Sequence, residues 1–174
     1  EFPDEITLLC IGPLTNIALL FTQYPDDAEK LCEIVIMGGD FRTKCHDEWN
    51  IKCDPEAAEI VFRAGYKKLT IVPLDVTLTV SIPHEEMKAR CKEKQNLLPV
   101  YDFLDAWRHQ VIFHDPLAGA VALDDTVCRY VNGIPQVILG DGAARGFTVL
   151  REGDPAEESR CRVAISADKE GFLS

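Results

Sequence analysis

The feature that most constrains this chain is a repeated alternation of short, continuous apolar runs with helical stretches, each junction marked by glycine or proline. The first run, Ile6-Thr-Leu-Leu-Cys-Ile11, lacks polar alternation and so suits a strand buried on both faces. Gly12-Pro13 closes it and opens a helix over residues 14–21, with Pro13 suited to a first helical position. Glu33-Ile-Val-Ile-Met37 predicts a second strand, stopped by Gly38-Gly39. Asp54-Pro55-Glu56 predicts a helix start: a carboxylate to cap free N–H groups, proline at N1, and acid in the first turn. That helix runs to about Ala64, with Gly65 as its C′ residue, and residues 69–73 form a third strand.

Strand–helix–strand units of these lengths imply a parallel sheet with right-handed crossovers. The fold class is therefore α/β: an open, mainly parallel sheet with flanking helices, in one domain over residues 1–174. Ligands bind such sheets beyond the carboxyl ends of the strands, which points to the loops after Ile11, Met37 and Val72. The second half predicts helices over residues 83–92 and 99–113 and another starting near Asp115-Pro116. Short strands follow at 136–139, 146–150 and 162–165, with a polar loop over 151–160.

A net charge of −11 opposes nucleic acid or an anionic membrane surface as partner, since both demand clustered lysine and arginine. The seven cysteines are scattered, with no Cys-x-x-Cys pair and no compact disulfide framework, so a reducing, cytoplasmic setting is expected. No apolar run reaches the roughly 18 residues of a membrane span, and the start has no basic-then-apolar leader. The chain opens on Glu1 and enters a core-like strand by Ile6, which reads as the middle of a domain.

Several loop residues carry chemistry. In Phe113-His114-Asp115-Pro116, the aspartate before proline serves equally as a helix N-cap or as a hard oxygen ligand beside a titratable histidine. His109 and His114 are five apart and do not share a helix face, which rules out a His-Glu-x-x-His zinc site. Asp47-Glu48-Trp49-Asn50 is either a solvated loop or a carboxylate and an amide set around an aromatic, as suits a polyol. Cys45-His46 and Cys53 have zinc-ligand chemistry at unsuitable spacing. Gly38-Gly39 is a turn or a close approach to a ligand, and Asp75 ties loops together or touches substrate. Without Gly-x-Gly-x-x-Gly, dinucleotide binding has no support.

In order, Ile11-Gly12-Pro13-Leu14-Thr15-Asn16, Met37-Gly38-Gly39, Glu48-Trp49-Asn50 with Asp54-Pro55-Glu56-Ala57-Ala58, Pro73-Leu74-Asp75-Val76-Thr77 and His114-Asp115-Pro116-Leu117-Ala118 resemble the inosine-uridine nucleoside hydrolases. The resemblance implies hydrolysis of a ribonucleoside's N-glycosidic bond by a Ca²⁺-activated water, in nucleotide salvage. It implies Asp115 and the Ile11 backbone carbonyl as calcium ligands, Glu48 and Asn50 on ribose hydroxyls, and His114 as proton donor to the leaving base. Calcium's preference for carboxylate and carbonyl oxygen fits those residue types. The family's Asp-x-Asp-x-x-x-Asp-Asp motif is absent from this sequence, as is the asparagine upstream of the glutamate, where Arg42 or Thr43 stands. Base preference is thereby left open.

The expectation is the C-terminal part of a nucleoside hydrolase domain, without the family's N-terminal strands, holding half the site and inactive alone. A homo-oligomer is expected by the same resemblance. The alternatives are a non-catalytic nucleoside- or ribose-binding or assembly module, and a structural α/β domain whose loops bind nothing.

Overall fold

The computed structural model describes residues 2–42, 47–64, 69–107, 109–152 and 161–173. The elements in the first half are β1 (Ile6–Cys10), α1 (Thr15–Gln23), α2 (Pro25–Ala28), β2 (Leu31–Met37), α3 (Trp49–Cys53), α4 (Pro55–Arg63), β3 (Leu69–Val72) and α5 (Leu74–Thr77). Then come β4 (Ser81–Ile82), α6 (His84–Glu93), α7 (Leu98–Leu104), β5 (Val111–Ile112), α8 (His114–Leu123), β6 (Cys128–Val137), β7 (Thr148–Glu152), β8 (Cys161–Ala167) and α9 (Lys169–Leu173).

Six strands form one sheet in the order β1-β2-β3-β8-β6-β7. The pairings from β1 through β8 are parallel, while β6 runs antiparallel to both β8 and β7. Alternation along the central strands divides the core in two. Ile34, Ile36, Ile71 and Val163 face a layer with α1 and α4, and Val35, Met37, Val72 and Ala164 face α5 and α8. Burial on both faces explains why β2 and β3 read as unbroken apolar runs.

The edge strand β1 departs from that pattern. Ile6 and Leu9 are 48% and 39% exposed because β1 pairs only with β2, so it is not buried on both faces as expected. Its inner residues, Leu8 and Cys10, do pack into the α1–α4 layer.

The predicted cap of α4 is present: the Asp54 carboxylate accepts from the Ala57 N–H at 3.1 Å. Gly65, its expected C′ residue, lies outside the described residues, as does most of the loop over 151–160. Helix α1 begins at Thr15 with Leu14 as its cap, so Pro13 sits before the helix and not at its first position.

The helix expected over residues 99–113 ends at Leu104. Val111 and Ile112 instead pair with Ile82 and Ser81, and the Phe113 N–H donates to the Val80 carbonyl, drawing Phe113 into the core. Tertiary pairing of two β-branched residues outweighs local helical pattern there.

Strand β6 begins eight residues before the expected 136. Its first half, Cys128 to Asn132, pairs with β8, and its second, Gly133 to Val137, with β7. Pro135 is tolerated because its half of the strand has a ladder on one side only. No helix among the described residues is long and apolar enough to cross a membrane.

Candidate active site

The parallel strands bring their carboxyl ends to one edge, and the loops leaving β2 and β3 are stitched together there. Gly39 has φ +80°, and a Cβ on it would stand 3.0 Å from the Phe41 ring, so glycine is required for the turn itself. Its carbonyl accepts from the Leu74 N–H at 2.7 Å, and the Phe41 N–H reaches the Asp75 carboxylate at 3.4 Å. Asp75 thus ties the two loops. Burial, with the charge of Asp40 nearby, raises its pKa. Asp40 itself is buried, its N–H donating to the Thr148 hydroxyl, which in turn donates to the Asp40 carbonyl.

Glu48 is not a solvated loop residue. Its carboxylate is 4% exposed and accepts from the N–H groups of Gly39, Asn50 and Ile51 at 3.1, 2.9 and 3.0 Å. It caps α3 and holds the β2 turn. A carboxylate has about four lone-pair sites, so three N–H bonds leave room for one further donor such as a sugar hydroxyl. Asn50 donates through Nδ2 to the Met37 carbonyl at 3.0 Å, which orients the amide and leaves Oδ1 without a protein donor among the described residues. Trp49 between them is 72% exposed, and Asp47 pairs with Lys52.

His114 is the first residue of α8, whose cap position is Phe113, so Asp115 lies inside the first turn and is not the N-cap. The ring is half-buried. Burial lowers its pKa from the usual 6.5, against the opposing charges of Asp115 and Glu48. Its Nδ1 lies 2.7 Å from the hydroxyl of Thr77, the last residue of α5. The sequence assigned Thr77 and Asp40 no role; a buried hydroxyl or carboxylate has no periodic signature that would have singled it out.

Glu48, Asn50 and His114 therefore meet at the ends of β2 and β3. Asp115 and Ile11 stand at the same edge. Gly119 of α8 faces Leu9 of β1, where an added Cβ would lie 3.8 Å from Leu9 Cδ2. Asp115 is one helical turn, about 6 Å, back from Gly119. Ile11 is two residues, about 6.6 Å, beyond Leu9, and both steps lead to the carboxyl edge. Asp115 and Ile11 are both exposed.

Carboxylate and carbonyl oxygens fit calcium in kind but not in number, since calcium takes about six to eight. Among the described residues no group of three or more His, Cys, Asp or Glu side chains is placed to hold a metal. Cys45 and His46 of the zinc reading lie outside the described residues; Cys53 is exposed.

A family model described as inosine-uridine preferring nucleoside hydrolase matches residues 1–174. The inosine-uridine preferring nucleoside hydrolase of Leishmania major is 31% identical over 183 residues, covering 98% of this chain and 58% of that protein. A probable uridine nucleosidase 1 of Oryza sativa subsp. japonica is 30% identical over 167 residues, covering 88% of this chain and 51% of that protein. The solved structure of a plant nucleoside hydrolase, PpNRh1, superposes with a TM-score of 0.81 at 27% identity, over 98% of this chain and 60% of that one. The chain spans about half the length of the curated relatives it matches.

Proposed function

The chain belongs to the inosine-uridine preferring nucleoside hydrolase family, and from that premise we propose that it supplies part of the active site for hydrolysis of ribonucleosides to ribose and free base. The carrying observation is the convergence of Glu48, Asn50 and His114, from distant parts of the chain, at the ends of β2 and β3. In this reading the fourth acceptor site of Glu48 and the Oδ1 of Asn50 take ribose hydroxyls. Both groups are already oriented by backbone bonds, so little order is lost when the sugar docks. His114 sits beside the departing base and passes it a proton at the ring nitrogen, which weakens the N-glycosidic bond.

Calcium is the ion suited to the Asp115 carboxylate and the Ile11 carbonyl; when bound, such a cation lowers the pKa of an attached water and so generates the nucleophile. Two protein oxygens fall short of the about six to eight that calcium takes, and the 174-residue chain alone is expected to be inactive. A homo-oligomer in a reducing, cytoplasmic compartment completes the reading. The described cysteines are free, and burial pushes the thiols of Cys10 and Cys128 up to about 11 and that of Cys161 up to about 12, which keeps them inert.

The lack of a three-ligand cluster among the described residues favours a second reading, a nucleoside- or ribose-binding module without catalysis. Base release from inosine and uridine by the catalytically complete protein, with calcium and with a chelator, separates the two. Calcium-dependent release supports the hydrolase; tight nucleoside binding with no release supports the module.

A further inference from the structure

We propose that Thr77 is the positioning residue for His114, holding the ring by its Nδ1–H and leaving Nε2 as the nitrogen that takes up a proton from solvent and passes it to the leaving base. The proposal rests on the role of His114 given above. Thr77 is fully buried at the end of α5, and its Oγ1 makes two contacts, 2.7 Å to His114 Nδ1 and 3.1 Å to the Leu74 carbonyl. A hydroxyl has one proton, and the carbonyl is an acceptor only. Both contacts are hydrogen bonds only when the hydroxyl donates to Leu74 and Nδ1–H donates to Thr77. The reverse arrangement, hydroxyl to Nδ1, would leave the Leu74 contact without a proton.

The residue type suits the task. In a helix, threonine is held in few rotamers and bonds the carbonyl three residues back, which is the Leu74 contact. Its lone pair is thereby aimed outward at a fixed angle. Thr77 follows β3 and His114 begins α8, so one bond sets the ring against the same sheet edge that carries Glu48 and Asn50. A second-partner hydrogen bond that occupies one ring nitrogen reserves the other for proton transfer.

The test reads the ring nitrogens directly, by long-range ¹H–¹⁵N correlation on the folded chain, with His114→Gln identifying the His114 signals. The expected result is a protonated Nδ1 and a bare Nε2 in the wild type, loss of that pattern in Thr77→Val, and its return in Thr77→Ser. A wild-type ring protonated on Nε2 and bare at Nδ1 overturns the proposal even if the valine variant does not fold; an unchanged pattern in a folded Thr77→Val overturns it too. In the catalytically complete protein, Thr77→Val should lower kcat/KM for inosine about tenfold more than for p-nitrophenyl riboside, whose leaving group needs little acid help, and Thr77→Ser should recover most of it. If His114→Ala itself leaves that ratio at one, the acid role falls and the proposal with it. If His114→Ala depresses the ratio and Thr77→Val does not, the role of Thr77 alone is wrong.

Discussion

Glu48 caps α3 and, in the proposed function, also holds ribose, and the two duties shape what its removal should do. Glu48→Ala takes away the α3 cap and the tie to Gly39, so a stability loss of about 1–2 kcal/mol should appear in denaturant unfolding whatever the function. Asn50→Ala removes one oriented amide with less structural consequence. If both groups hold ribose, each variant should lose about two orders of magnitude in kcat/KM, roughly 2.7 kcal/mol, in the complete protein. Folded variants with near wild-type kinetics would make Glu48 a cap and nothing more. His114 and Asp115 separate in another way. Asp115→Asn should weaken calcium binding and slow every substrate, because it disturbs the nucleophile. His114→Ala should leave calcium affinity nearly intact and damage inosine far more than p-nitrophenyl riboside. A mutant-to-wild-type ratio equal for the two substrates would remove His114 from proton donation while leaving Asp115 untouched. These residues were legible in the sequence because motifs fix them in order; the buried bonds that orient them were not, since Thr77 and the three N–H partners of Glu48 are brought together only by the fold.

Among the elements, the parallel strands β2 and β3 and the helix α4 stood out early because two-sided burial and capping both leave local marks. The later elements did not. Asn132-Gly133-Ile134-Pro135 has the composition of a turn, yet it lies in β6, where a change of partner strand accommodates the proline. The helical pattern of the sequence runs past the end of α7 because nothing local announces that Val111 and Ile112 will pair with β4. The α6–α7 pair holds a pH-sensitive link. His84 donates through Nε2 to the Leu104 carbonyl at 2.7 Å and meets Glu85 through Nδ1 at 3.0 Å, with the Lys88–Asp105 pair and the Lys88–Tyr101 contact alongside. The Leu104 carbonyl, then Glu85, raises its pKa above the usual 6.5, with Lys88 opposing. A raised folded-state pKa adds stability that is fully present below about 6.5 and is lost as pH rises through the folded value. Amide protection factors in α7 should therefore fall as pH rises from below about 6.5 through the folded value, and His84→Gln should flatten that change. Equal protection at both ends of that range would show that the link is not coupled to the ring's charge.

For the whole molecule, the proposed function is that of a divided site: sugar and base contacts built on well-buried strand ends, and a metal shell to which Asp115 and Ile11 would give two oxygens beside β1. Strand β1 and the residue after it expose apolar side chains at Ile6, Leu9 and Ile11, unlike any strand in the middle of the sheet. The account turns on whether this chain's residues perform nucleoside hydrolysis only when the remaining oxygens are supplied. The most direct measurement is release of hypoxanthine from inosine in excess calcium, by the 174-residue chain alone and by the catalytically complete protein under the same conditions. The account predicts turnover by the complete protein, abolished by a chelator, and none by the chain alone. Turnover by the isolated chain, or none by the complete protein, would contradict it.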